Sequence, residues 1–234
     1  MKNLNRVYLT SEIKNFYSSN RKIWNHLYDS EKVVIKNLKI KKNSTVMDIG
    51  SACGGLGAIL KKKYGLKKYL GIEINKQACE LSSQLYNNFK FVNTDLLNFE
   101  KRSLKLTKFD YVFSLGCIDW NVELNKMLNK AWSHVKSNGH LILTLRLTNK
   151  KIKEKSYQYI NFSKELKGEK APYHVLSFKE LEKKIKKLNV SKIISHGYWK
   201  KPNVTVITPY KKIFFVALAL KKNFNNKNTL KNIF

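Results

Sequence analysis

The sequence predicts an α/β fold, a mostly parallel sheet with helices on both faces. From residue 45 to residue 147, β-rich runs alternate with stretches of helical period. The first of these runs stops at a cluster of glycines. The fifth, His140 to Leu147, is almost continuously apolar, as a strand covered on both faces should be. At 234 residues the chain can bury roughly 70% of its unfolded surface and needs no covalent staples.

The elements follow in order. Residues 11 to 29 carry Phe16, Ile23, Trp24, Leu27 and Tyr28 at mixed helical spacing, and a second helix is expected after Ser30 as N-cap. Thr45 to Ile49 reads as the first strand and Gly54 to Tyr64 as a helix. Tyr69 to Ile74 is the second strand, and Gln77 to Tyr86 a helix with Ala78, Leu81 and Leu85 inward. Phe89 to Asn93 and Phe109 to Leu115 are the third and fourth strands. Val122 to Val135 is a helix that Asn138-Gly139 should end. After the fifth strand, residues 148 to 176 are polar and irregular. Ser177 to Leu188 is a helix with a Ser177/Glu180 capping box and an apolar stripe. Ile193 to Tyr198 and Ile213 to Leu220 close the sheet. The predicted layout is one domain over 1–222, with a helical cap at 1–43 and an insertion at 148–176, followed by a Lys/Asn tail at 223–234.

Composition narrows the classes. Hydrophobic residues make up 43%, which excludes a disordered chain. Cys53, Cys79 and Cys117 lie far apart, which excludes a disulfide scaffold and a Cys-x-x-Cys metal knuckle and suits a reducing, cytoplasmic compartment. The longest late apolar run, Ile213 to Leu220, has eight residues, far short of a membrane span, and MKNLNRVYLT shows no secretory h-region. The net charge of +30 suggests a polyanionic partner. Yet 42 of the 46 basic residues are Lys and only four are Arg, and Asn numbers 25. Phosphate- and base-gripping surfaces favour Arg for its bidentate fork. Dispersed lysines therefore read first as a solvated surface.

The candidate site lies where open parallel sheets bind ligands, at the carboxyl ends of the strands. The run VMDIGSACGGLG holds four glycines, Gly50, Gly54, Gly55 and Gly57, in eight residues. Such a turn lets a ligand approach the backbone, and the helix that follows presents free N–H groups. Glu73 stands at the tip of the second strand, where a carboxylate can accept both hydroxyls of a ribose. Asp95, after the third strand, can take a hydrogen bond from an exocyclic amine, or can be a helix N-cap.

DIGSACGG, then GIEIN, NTD and FDYVFSLGCIDW, resembles the ordered motif series of class I S-adenosylmethionine-dependent methyltransferases over residues 44 to 147. The family glycine signature is acid-x-Gly-x-Gly-x-Gly. Asp48, Gly50 and Gly54 match it, and Ala52 replaces the middle glycine, which implies a slightly shifted cofactor. The resemblance implies a Rossmann-like seven-stranded sheet with a reversed last strand, and S-adenosyl-L-methionine as cofactor. It places Asp48 and Gly50 beside the methionine part, with Ser51 and Ala52 beneath it. Glu73 would sit on the ribose and Ile74 against the adenine, with Asp95 on its amine and Leu96 beside it. Ser114, Leu115 and Gly116 would lie near the sulfonium, and Trp24 and Tyr28 could close over the site.

Methyl transfer from a sulfonium is an in-line displacement, so holding the nucleophile in line supplies much of the catalysis. SLGCIDW contains no Asn/Asp-Pro-Pro-aromatic segment and no Pro-Cys pair, which argues against amino-methylating nucleic-acid enzymes and against a cytosine-C5 thiolate mechanism. Asp119 and Trp120 should face the acceptor. Arg146 either pairs with a protein carboxylate or waits for an acidic acceptor, and the scarcity of carboxylates favours the second. In the 148–176 insertion, Tyr157 and Tyr173 are candidate substrate contacts and His174 is the candidate base, with Asp119 as the other catalytic candidate. The reading is methyl transfer to a small-molecule acceptor, a sugar or an acidic metabolite. RNA methylation through the Lys surface and a non-catalytic cofactor-binding subunit are the alternatives. Asp48 ahead of the glycines, together with Asp95, disfavours a nicotinamide oxidoreductase.

Overall fold

A computed structural model describes residues 8–99, 107–152, 154–160 and 165–224. The helices are α1 (Ser11–Ser19), α2 (Asp29–Lys36), α3 (Gly55–Tyr64), α4 (Lys76–Leu85), α5 (Leu124–Ser133) and α6 (Phe178–Lys186). The strands are β1 (Thr45–Ile49), β2 (Lys68–Glu73), β3 (Lys90–Asn93), β4 (Phe109–Ser114), β5 (Val135–Thr148), β6 (Tyr157–Tyr159), β7 (Lys170–Pro172), β8 (Leu176–Ser177), β9 (Val190–Lys200), β10 (Val206–Ile207) and β11 (Ile213–Lys222).

The main sheet runs β3-β2-β1-β4-β5-β11-β9, and β8 adds to the end of β5. β1 to β5 pair in parallel, while β11 runs antiparallel to β5 and to β9. The expected reversed last strand is therefore present. The strand order reverses between β1 and β4, and that switch point carries the site.

Alternation along β1 divides the core. Met47 and Ile49 pack on one face with Ile72, Leu141 and α5, while Val46 packs on the other with Tyr69, Phe113, α2 and α3. Each such fully buried side chain contributes roughly 1.5–3 kcal/mol. The Ser177/Glu180 capping box forms as expected, and Leu181, Ile185 and Leu188 are buried.

Several boundaries differ from the sequence expectation. Residues 11–29 are not one helix: α1 ends at Ser19, and Trp24–His26 is a separate 3-10 turn. Tyr28, not Ser30, is the N-cap of α2, because Glu31 reaches back to the Tyr28 N–H at 2.8 Å. On α4 the buried face is Ala78, Cys79 and Ser82, and Leu85 is exposed. Asn138-Gly139 does not end α5. It bends the start of a longer β5, whose pairing with β4 shifts register between Phe109 and Tyr111. The 148–176 insertion is not irregular throughout, since β6 and β7 join β10 in a three-stranded antiparallel sheet. Residues 225–234 of the expected tail lie outside the described residues.

Candidate active site

The turn after β1 is shaped by neighbours that leave no room for a side chain. Gly50 has φ +73°, and a Cβ there would fall 2.6 Å from Cys117 Sγ. The Gly50 and Ser51 N–H groups both donate to the carbonyl of Ile72, which ties the turn to β2. Gly54, at φ +77°, is the left-handed N-cap of α3. Ala52 has φ +46° although it is not glycine.

Glu73, at the end of β2, closes this turn. Its Oε2 accepts the Ala52 N–H and its Oε1 accepts the Asn75 N–H, both at 2.7 Å. Burial pushes its carboxyl up, and the backbone donors pull it down. The Ile74 N–H is a further backbone donor to this carboxylate, so of its roughly four acceptor positions about one stays open for a ligand hydroxyl. Asp48 accepts the Tyr69 hydroxyl, and burial raises its carboxyl to about 7 against that hydrogen bond. Asp95 Oδ1 accepts the Leu97 N–H, so the residue is an N-cap and also lines the cavity.

One cavity of about 1060 Å³ runs from these carboxylates to the ends of β4, β5 and β9. Its far side is built on Arg146 and Asp119, both nearly fully buried. Arg146 Nη2 lies 2.7 Å from Asp119 Oδ2 and donates at 2.7 Å to the Asp119 carbonyl. Its Nε donates to the His174 carbonyl at 3.3 Å. The guanidinium lies 3.6 Å from the Tyr173 ring centre and 4.6 Å from that of Trp120. The segment carrying Tyr8 and α1 crosses the cavity. Tyr8 donates its hydroxyl to the Trp120 carbonyl at 2.8 Å, and the Asn75 amide donates to the carbonyls of Tyr8 and Thr10.

Of the residues singled out from the sequence, Asp48, Gly50, Ser51, Ala52, Glu73, Ile74, Asp95, Leu96, Leu115, Gly116, Tyr28, Asp119, Trp120, Arg146 and Tyr173 line this one cavity. Five do not. Trp24 packs under Lys63, whose Nζ lies 4.3 Å from its ring centre. Gly54 serves the backbone, next to Phe91 and Tyr86. Ser114 points its hydroxyl at the Ile118 N–H. Tyr157 alternates outward along β6, and its neighbour Tyr159 faces the cavity instead. His174 donates Nε2–H to the Asn121 carbonyl at 2.9 Å, and burial lowers its basicity, so it holds a loop and stands outside the cavity. Of the two alternatives for Arg146, the favoured one, an acidic acceptor as its partner, needs correction: the structure pairs it with the Asp119 carboxylate.

Sequence reasoning missed Tyr8, Tyr17 and Arg21 in the cap and Lys200 to Val204 in the loop after β9. Arg21 is held by Glu31 at 2.9 Å. Its signal was faint: one of only four arginines, ten residues before a buried glutamate. The 200–204 loop carried no signal, because its place is fixed by β10 pairing with β6.

The sheet order, the reversed β11 and the glycine turn facing an acid on β2 define a class I S-adenosylmethionine-dependent methyltransferase fold. The family model of the methyltransferase domain matches residues 40–195, and the chain belongs to that family. It is 27% identical over 122 residues to phosphoethanolamine N-methyltransferase of Plasmodium falciparum, which covers 50% of this chain and 44% of that protein. It is 27% identical over 126 residues to phosphoethanolamine N-methyltransferase 2 of Caenorhabditis elegans, covering 50% of this chain and 28% of that one. The chain thus spans less than half the length of these curated relatives. Among solved structures, the S-adenosyl-L-methionine complex of Haemonchus contortus phosphoethanolamine N-methyltransferase 2 matches with TM-score 0.61 and 13% identity, over 86% of this chain and 53% of that one. An S-adenosylmethionine-dependent methyltransferase from Methanosarcina mazei matches with TM-score 0.59 and 16% identity, over 84% and 99%.

The family cofactor, S-adenosyl-L-methionine, fits the residues present. Ser51 Oγ is buried at the glycine turn with no hydrogen-bond partner among the described residues, and the Glu73 carboxylate, with three backbone donors, retains acceptor capacity. Among the described residues no helix is long and apolar enough to cross a membrane.

Proposed function

We propose that this chain transfers a methyl group from S-adenosyl-L-methionine to a small-molecule acceptor. The cavity carries the reading. A single, partly open cavity joins the Glu73/Asp95 end to the Asp119/Arg146 end, and the Tyr8–α1 segment and β6 line it. Glu73 and Asp95 would hold the ribose and adenine, and Asp48, Gly50, Ser51 and Ala52 the methionine part, with Leu115 and Gly116 alongside. The bound cofactor supplies an already activated methyl on a sulfonium. The chain supplies alignment and the exclusion of water. Aromatic walls from Tyr28, Trp120, Tyr159 and Tyr173 suit an acceptor that buries much of its surface. The acceptors in the names of the relatives are small molecules, which supports the same class.

Calorimetry with S-adenosyl-L-methionine and with NAD tests the cofactor, and transfer of a labelled methyl group into the small-molecule fraction of a cell extract tests the acceptor class. Label entering RNA or protein, with none in small molecules, overturns the reading.

A further inference from the structure

We infer that Arg21 holds the methionine carboxylate of bound S-adenosyl-L-methionine, through the part of its guanidinium that Glu31 leaves free. This contact rests on the methyl-transfer reading above and belongs to the same site.

Arg21 follows α1 in the cap and is one of only four arginines in a chain that uses Lys for 42 of its 46 basic residues. Its backbone is fixed from two sides. The residue has φ +60°, a left-handed conformation uncommon for any residue with a Cβ. Its carbonyl is pressed against the first turn of α3, where a Cβ on Gly55 would run into it. Such backbone persists where the surroundings over-determine it, and it collects at functional sites.

The side chain is fixed as well. Nη2 donates to Glu31 Oε1 at 2.9 Å, and Glu31, 1% exposed, accepts the Tyr28 N–H on its other oxygen. The Tyr28 ring centre lies 5.4 Å from the guanidinium carbon. A guanidinium carries five N–H donors. Among the described residues Glu31 takes one of them, and the side chain, 22% exposed, lines the cavity. A lysine would neutralise Glu31 equally well. The planar fork adds further donors aimed in a set direction, which suits a second carboxylate.

The charges nearby select that carboxylate. The cavity end proposed for the cofactor is lined by Asp48, Glu73 and Asp95. S-adenosyl-L-methionine brings a further carboxylate on its methionine part, which calls for a cation near Asp48. Arg21 is close enough for its field to pull the Asp48 carboxyl down, against the burial that raises it to about 7, so at neutral pH Asp48 carries only part of a charge against an incoming anion. Arg146 stands on the far side of the cavity, with Asp119. Lys200, Lys201 and His26 also line the cavity but are exposed, so water competes for them.

Decarboxylated S-adenosylmethionine keeps the adenine, ribose, sulfonium and amine and lacks only the carboxylate, so it isolates this contact. Calorimetry on the wild type should give S-adenosyl-L-methionine an affinity at least about tenfold above that of the decarboxylated form. In Arg21→Lys, which keeps a cation for Glu31, the ratio should fall to within about threefold, with affinity for the decarboxylated form nearly unchanged. The ratio is taken within one protein, so a general loss of stability does not move it. A wild-type ratio near one, or a ratio as large in the variant as in the wild type, overturns the inference. A crystal of the wild type with S-adenosylhomocysteine decides without any variant. Guanidinium N–H groups of Arg21 on the ligand carboxylate are the expected result, and a carboxylate held by other groups alone overturns it. A wild type that binds neither form strikes the methyl-transfer reading itself, whereas binding of both without discrimination strikes only the role of Arg21.

Discussion

Glu73 Oε2 accepts the backbone N–H of Ala52 at 2.7 Å, so the tip of β2 fastens the turn after β1 at a residue held with φ +46°. The carboxylate therefore has two tasks: it shapes the turn with its backbone donors and offers its remaining acceptor position to a ligand.

Ala52 stands where the family signature has glycine, and its left-handed backbone is strained for any residue with a Cβ. Ala52→Gly should relieve about 1 kcal/mol net, after the greater unfolded-state entropy of glycine is allowed for. A melting curve should show a rise of roughly 2–4 °C. S-adenosyl-L-methionine affinity should hold or improve, and a loss of affinity would mean that the methyl side chain contacts the ligand.

Glu73→Ala should weaken S-adenosyl-L-methionine binding more than tenfold, since one charge-assisted hydrogen bond is worth about 1.5–3 kcal/mol. It should also lower the melting temperature, because the buried N–H groups of Ala52 and Asn75 lose their acceptor. Calorimetry and thermal unfolding on one preparation measure both. Unchanged affinity would place the ribose elsewhere.

Arg146→Met leaves the Asp119 carboxylate buried and unpaired, and should cost about 3–5 kcal/mol of stability. Denaturant unfolding reads this directly. A loss under about 1 kcal/mol would mean that water reaches the pair and compensates.

Burial raises the Asp48 carboxyl to about 7 against the Tyr69 hydrogen bond, whereas an unfolded Asp titrates near 3.9. Between these values the folded chain keeps a proton that the unfolded chain has released. Asp48 thus makes stability fall as pH rises from about 4 to about 7, with no further change above. His140, pushed down to about 4 by burial, contributes the opposite slope up to about 6.5. The comparison with Asp48→Asn isolates the carboxyl. Its melting temperature relative to wild type should climb from pH 4 to pH 7 and then level off. A constant difference across that range would show Asp48 already ionised.

The lysines are dispersed along the chain, and the two arginines of the cavity are each paired with a carboxylate. RNA binding should therefore be weak, without sequence preference, and should drop steeply with salt. Filter binding at physiological salt checks this, and selective submicromolar binding of one RNA would restore the RNA reading.

What could be read from the sequence was local. The alternation of strand and helix, the glycine turn at Gly50, and Glu73 and Asp95 at strand ends all sit within contiguous runs whose period or spacing reports their place. The Ser177/Glu180 capping box was legible for the same reason. Other features depended on segments far apart in the chain. Asn138-Gly139 carries a helix-stop pattern but lies within β5, at the irregularity where the pairing of β5 with β4 shifts register. For Arg146 the sequence left a protein carboxylate and an acidic acceptor as alternatives and favoured the second, because Asp119, 27 residues earlier, meets it only when β4 and β5 lie side by side. His174 looked like a base until the Asn121 carbonyl took its Nε2–H. Tyr8, Arg21 and the 200–204 loop reach the cavity only through folding of the cap and the pairing of β10 with β6. Periodicity and spacing record which face of one element is buried. They carry no term for which distant side chain completes a hydrogen bond, and that choice is made when the sheet assembles.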